Sequence, residues 1–221
     1  KRKVSPFLLT QHFNGYRLNY ADRLTGREKA EVVVAIGAST GGPKVVEKIF
    51  TDLPADLPAA VMVSLHMPAG FTASFASRLD QISPLQVKEA EENDRLLEGV
   101  ALIAPGNYHL IERRRAVALS SAPKVHFVRP AIDVMLNSLA FSKHKVVAVI
   151  LSGMGRDGTA GVQVLKERKP GSIVIVQDPQ TSIIPSMPES VIAEGCFDEV
   201  VPFPEIAGRI VKHARDLAAG E

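Results

Sequence analysis

Three side chains in this sequence have the types and the settings that acyl-transfer chemistry needs. Ser39 lies in Gly37-Ala38-Ser39-Thr40-Gly41, a G-x-S-x-G pattern between the apolar run 32–36 and a helical pattern opened by Pro43. A nucleophilic serine must stand clear at a strand's end, which requires small neighbours. A helix starting just behind it would aim free N–H groups at a developing oxyanion. Pro43 suits a first helical turn, where its missing donor costs nothing. Two phosphate-binding templates compete for the same loop and fail where their physics is strict. A dinucleotide fingerprint needs glycine where Ser39 puts a Cβ and a hydroxyl against the pyrophosphate. In a P-loop reading Gly37 and Gly42 have the right spacing, but Pro43 displaces Lys44 by one residue, and Val45 offers no hydroxyl for magnesium. A turn of small residues with no chemistry fits the pattern too, so the motif does not decide alone.

A serine is a weak nucleophile until a base takes its proton. Of six histidines, only His66 directly follows a strong strand pattern, in "AAVMVSLHMPAGF". In open α/β sheets, sites form at the carboxyl ends of strands. His109, in "APGNYHL", is the second candidate. His12, His126, His144 and His213 fall in tails, helix surfaces or loops, where a solvated side chain is the plain reading. The base needs a carboxylate to hold its tautomer and balance its charge. Asp157, in "VVAVILSGMGRDGTAG", again lies just past an apolar strand, among Gly153, Gly155 and Gly158. It reads equally as a cap for a helix over 158–168. Asp133 is the weaker rival, because it reads as the N-cap of a helix over 134–141. The chain order Ser, His, Asp differs from the Ser, Asp, His of α/β-hydrolases.

Strands that bring three strand ends together must lie in one sheet. Short apolar runs at 32–37, 60–65, 100–104, 146–151 and 172–177, with a weaker one at 86–90, read as strands buried on both faces of a parallel sheet. Helical patterns lie at 43–53, 133–141, 158–168 and 204–218, and their apolar stripes are core faces. Segments 109–112 and 115–119 form a small antiparallel hairpin around Arg113 and Arg114. The alternation predicts an α/β, doubly wound, Rossmann-like, mostly parallel sheet flanked by helices. With 221 residues, 46% hydrophobic and 23% charged, the chain suits one large domain. A net charge of +2 argues against a nucleic-acid footprint. The single cysteine, Cys196, excludes a disulfide within the chain and a cysteine-rich zinc site, and it suits a reducing cytoplasm. No apolar run is long enough to insert in a membrane, and no signal-peptide core is present. Residues 1–30 carry seven Lys or Arg against two acids and read as a basic tail or interdomain linker before a domain over 31–221.

With these pieces in place, the sequence resembles the catalytic domain of CheB-type protein-glutamate methylesterases of bacterial chemotaxis. The matching motifs run in order: "IGASTGGP" at 36–43, "HMPAGFTASFASRL" at 66–79, "VKEAEENDRL" at 87–96, "IAPGNYHL" at 103–110, "RPAIDVML" at 129–136, "LSGMGRDGTAG" at 151–161, "QDP" at 177–179 and "MPES" at 187–190. The resemblance spans about 31–210. It implies hydrolysis of glutamate methyl esters on chemoreceptor helices with release of methanol, and in many members deamidation of receptor glutamines. It maps the catalytic serine, histidine and aspartate onto Ser39, His66 and Asp157, and groups at the oxyanion onto Thr40 and Met154. It implies no metal and no organic cofactor. The partners implied are methyl-accepting chemoreceptors and a phosphorylatable receiver domain, which thirty residues are too few to hold. The chain departs from the family pattern at Leu65, at Ala131 and Ile132, and at Pro185 and Ser186, all near the expected cleft. A serine esterase for small molecules and a non-catalytic receptor-binding module are the alternatives.

Overall fold

The computed structural model describes Leu24 and residues 27–220. The basic segment over 1–30 therefore falls almost wholly outside the described residues. Seven strands make one sheet: β1 (Val32–Ala38), β2 (Ala60–Leu65), β3 (Gln86–Glu89), β4 (Val100–Ile103), β7 (Lys145–Ile150), β8 (Ile173–Gln177) and β9 (Glu199–Val201). Their spatial order is β3-β4-β2-β1-β7-β8-β9, and every pairing is parallel. The chain moves outward from β1 on one side and returns to β7 on the other. The order thus reverses between β1 and β7, where an open sheet leaves a crevice beyond the strands' carboxyl ends.

β1 shows why its run is continuously apolar. Val32, Val34, Ile36 and Ala38 enter one buried cluster, whereas Val33 and Ala35 enter the other. Successive side chains point to opposite faces, and both faces are covered. The first cluster includes α1 (Gly42–Asp52), α2 (Phe71–Ile82) and α6 (Ile206–Ala219). The second includes α3 (Ile132–Ala140), α4 (Thr159–Arg168) and α5 (Ser186–Ala193). Each fully buried Val, Ile or Leu contributes roughly 1.5–3 kcal/mol relative to exposure. Among the described residues no helix is long and apolar enough to cross a membrane.

The expected hairpin is present as β5 (His109–Arg113) and β6 (Ala116–Ser120), joined by Arg114 and Arg115, both at positive φ. Three elements have no counterpart in the sequence reading. In α2 two of the four buried residues are Thr72 and Ala76, so the apolar stripe is faint. In α5 Pro188 sits in the first turn, where proline is tolerated but reads as a breaker. β9 has only three residues. His144, read as solvated, is instead buried, with Glu112 at 3.8 Å.

Candidate active site

Ser39 follows β1 directly. Gly37 leaves space for the helix behind the sheet, since a Cβ there would lie 2.5 Å from Cγ2 of Ile132. The serine's backbone is tied to the next strand end: its N–H donates to the Ser152 carbonyl at 3.0 Å. Ser152 Oγ in turn donates to the Thr40 carbonyl at 2.9 Å and accepts from the Ile184 N–H at 3.0 Å. The Ser152 N–H donates to Oε1 of Gln177 at the end of β8. Ser152 and Gln177 thus hold the serine turn rigid without touching its hydroxyl. Both stand at strand ends inside "LSGMG" and "QDP", and that position is the one signal of their role in the sequence.

His66 is the first residue after β2, and its N–H donates to the Ala38 carbonyl of β1. Nδ1 lies 3.0 Å from Ser39 Oγ, and Nε2 lies 2.7 Å from Asp157 Oδ2. A carboxylate only accepts, so Nε2 carries the proton and Nδ1 is left bare to accept the Ser39 hydroxyl. The ring is therefore turned end for end relative to the chymotrypsin arrangement, in which Nε2 faces the serine. The His66 side chain keeps 12% of its surface exposed, whereas that of Asp157 keeps 1%.

Asp157 occupies the loop after β7, next to the reversal in strand order. Burial pushes its carboxyl up. The His66 ring and the backbone N–H groups of Asp133 and Ile132 outweigh burial and hold it below the ordinary carboxylate value. Those N–H groups donate at 2.9 Å to Oδ1 and 2.7 Å to Oδ2. A depressed folded value means the ionised form stabilises the fold above the unfolded value of about 3.8 and loses that contribution as pH falls through the lower folded value. Urea denaturation of wild type and Asp157→Asn should therefore show a stability gap at neutral pH that narrows well below pH 3.8. A gap that widens on acidification would contradict this.

The capping roles differ from the sequence reading. In the sequence Asp157 reads as a cap for the helix after it and Asp133 as a cap for its own helix. Asp157 instead caps α3, through Ile132 and Asp133. Asp133 caps α4: its Oδ1 accepts from Gly158 at 2.9 Å and from Gly161 at 2.7 Å. Each aspartate serves the other's helix, an exchange that spacing along the chain does not encode. His109 also departs from its reading. It is fully buried, with Nε2 donating to the Pro123 carbonyl and Nδ1 accepting from the Ala131 N–H. With both nitrogens spent, it cannot serve as base.

Thr40 is exposed, as is Met154, whose side chain projects from the same loop as Asp157. Among the described residues neither the Thr40 nor the Met154 N–H has a hydrogen-bond partner, so both remain available as donors. The Gly42 N–H is not: it turns back to the Ser39 carbonyl at 2.8 Å, so the first helical donor does not face the site as the sequence suggested. His126, Asp133 and Asp157 offer ligand atoms within 4.8 Å of one another, a spacing that suits a cation. Every carboxylate oxygen there already accepts from a backbone N–H or faces a histidine nitrogen.

A family model for CheB methylesterase matches residues 34–210. The chain belongs to the CheB methylesterase family. It is 42% identical over 219 residues to the protein-glutamate methylesterase/protein-glutamine glutaminase of Pyrococcus horikoshii, covering 97% of this chain and 59% of that protein. The protein of the same name from Symbiobacterium thermophilum is 44% identical over 213 residues, which cover 95% of this chain and 57% of the relative. The chain thus spans less than two thirds of these relatives. The crystal structure of the Thermotoga maritima CheB methylesterase catalytic domain matches with a TM-score of 0.77 at 43% identity, covering 81% of this chain and 97% of that one. The departure from the CheB pattern at Ile132 does not remove its contact with Asp157, which is made by the backbone N–H.

In this CheB-family chain Gly153 packs tightly beside Ser39. A Cβ there would meet Met187 Sδ and come within 2.8 Å of Ser39 Cβ. Gly153→Ala should displace Ser39 and lower kcat/KM roughly 100-fold, as about 1 Å of misplacement can. Gly171→Ala, where nothing lies within 4 Å, is the control and should leave kcat/KM unchanged.

Proposed function

We propose that this chain is a serine hydrolase that demethylates glutamate methyl esters on chemoreceptor helices and releases methanol. The observation that carries the reading is the unbroken line from Ser39 Oγ through His66 to Asp157 at the sheet's carboxyl edge. Ser39 Oγ attacks the ester carbonyl while His66 Nδ1 takes its proton. Asp157 balances the charge that forms on the ring. The tetrahedral oxyanion accepts from the Thr40 and Met154 N–H groups, each lowering the barrier by roughly 3–4 kcal/mol. As the intermediate collapses, the C–O bond to the methoxy group breaks and His66 returns the proton to it, giving methanol and a glutamyl ester on Ser39. Water, deprotonated by His66, attacks that ester and restores Ser39 and a glutamate side chain. A glutamine side chain entering the same path loses ammonia and gives the same glutamyl-enzyme, which agrees with the double name of the relatives.

No step calls for a metal or an organic cofactor. The partners in this reading are methyl-accepting chemoreceptors, and a receiver domain elsewhere in the full-length protein. A cytoplasmic location fits a chain with the single cysteine Cys196 and no partner for it. The test compares methanol release from methylated receptor membranes with hydrolysis of a generic aryl ester. Receptor should be the far better substrate. Equal kcat/KM on both would favour a small-molecule esterase, and no turnover of either a binding module.

A further inference from the structure

The catalytic aspartate is held by a second His–Asp pair that the reaction itself does not use. Asp133 is 8% exposed, and its two oxygens face different partners. Oδ1 accepts from the N–H groups of Gly158 and Gly161, fixing the residue immediately after Asp157 and the first turn of α4. Oδ2 lies 2.8 Å from Nε2 of His126. The Asp133 N–H closes the circuit by donating to Asp157 Oδ1. His126 sits in a tight turn in which Val125 and Val128 exchange backbone hydrogen bonds at 3.2 and 3.0 Å. His126 and Phe127 both adopt positive φ there, a conformation uncommon for bulky residues and held only when the surroundings fix it.

We propose that Asp133, anchored by His126, is a positioning residue that sets the orientation of Asp157 and thereby the alignment of His66 on Ser39. The loop carrying Asp157 includes Gly155 and Gly158, both at positive φ. It is bound from both sides by one carboxylate: Asp133 Oδ1 holds the Gly158 N–H while the Asp133 N–H holds Asp157 Oδ1. Without the Asp133 carboxylate, Gly158 and the start of α4 lose their acceptor, and Asp157 can turn away from Nε2 of His66. The donors from Ile132 and Asp133 hold Asp157 against α3, but they do not fix α3 against α4. The Asp133 side chain adds to the apolar packing of these helices a polar tie at the start of α4, beside Asp157.

The inference rests on Ser39 being a nucleophile, and its test uses no receptor. A fluorophosphonate reacts when Ser39 Oγ displaces fluoride from phosphorus, with His66 taking the serine proton. The rate constant of that step, kinact, reports alignment, and KI reports probe binding. Both are measured well below each variant's melting temperature. Asp133→Ala should lower kinact roughly 10- to 100-fold with KI unchanged, the scale of a misplaced catalytic group. Asp133→Asn, which keeps an acceptor oxygen for Gly158 and Gly161, should recover most of the rate. His126→Ala, at a partly exposed position, should disturb the fold less than Asp133→Ala and show a smaller fall in kinact. A lower melting temperature with wild-type kinact in both alanine variants would overturn the proposal. Failure of the wild type to label at Ser39 would instead overturn the hydrolase reading.

Discussion

Ser39→Ala is expected to lower methanol release from methylated receptor by roughly a million-fold, the loss seen when a serine nucleophile is removed from a working triad. What remains is the modest acceleration that substrate binding and oxyanion donors give to attack by water. The fold should be unaffected. The Ser39 hydroxyl has one partner, His66 Nδ1, and the backbone N–H that ties the turn to Ser152 is untouched. Exposed or half-exposed sites of this kind shift stability by about 0.5 kcal/mol or less. Urea midpoints of wild type and variant should therefore coincide while activity differs by orders of magnitude. Residual activity above one per cent of wild type would remove Ser39 from the mechanism.

Asp157→Asn should cost roughly 10⁴-fold in kcat, because the amide cannot hold the His66 tautomer that keeps Nδ1 bare. The arithmetic of donors explains the size. The two carboxylate oxygens of Asp157 accept from three N–H groups: His66 Nε2, Ile132 N and Asp133 N. An asparagine offers one oxygen, and its NH2 group must face at least one of those donors. If the oxygen stays with the Asp133 N–H, the NH2 faces both the Ile132 N–H and Nε2, which becomes the acceptor and moves the ring proton to Nδ1, where it blocks the serine. If the oxygen stays with His66, a buried N–H is left unsatisfied at about 1–3 kcal/mol. Activity and stability should thus fall together in this variant, unlike Ser39→Ala. The measurement is kcat on receptor membranes beside the urea midpoint, and an unchanged kcat would show that Asp157 does not orient His66.

Ser39, His66 and Asp157, the residues proposed to react, could be placed together because each lies at or just beyond the carboxyl end of a strand whose apolar run is unmistakable. β1, β2 and β7 are buried on both faces and carry little but Val, Ile, Ala and Leu, so Ser39, His66 and the Asp157 loop follow from placing those strands side by side. His109 shows the limit of that logic. It too follows a strand pattern, and only its complete burial and two satisfied nitrogens separate it from a base. The exchange of caps between Asp133 and Asp157 was illegible for a different reason. Capping rules are local, whereas these aspartates meet through the packing of α3 on α4. At Gly161 a Cβ would lie 3.0 Å from Asp133 Cα, so the two helices approach that closely because the residue is glycine. α2 and α5 leave no clear signal in the sequence because their buried faces include Thr72, Ala76 and Pro188, which do not stand out as an apolar stripe.

The account depends most on a covalent intermediate at one atom. Wild-type protein mixed with methylated receptor, quenched in acid and digested, should yield the peptide containing Ser39 esterified through Oγ to a receptor glutamate, and Ser39→Ala should yield none. Methanol released at the wild-type rate by Ser39→Ala, with no adduct at any residue of either protein, would contradict it.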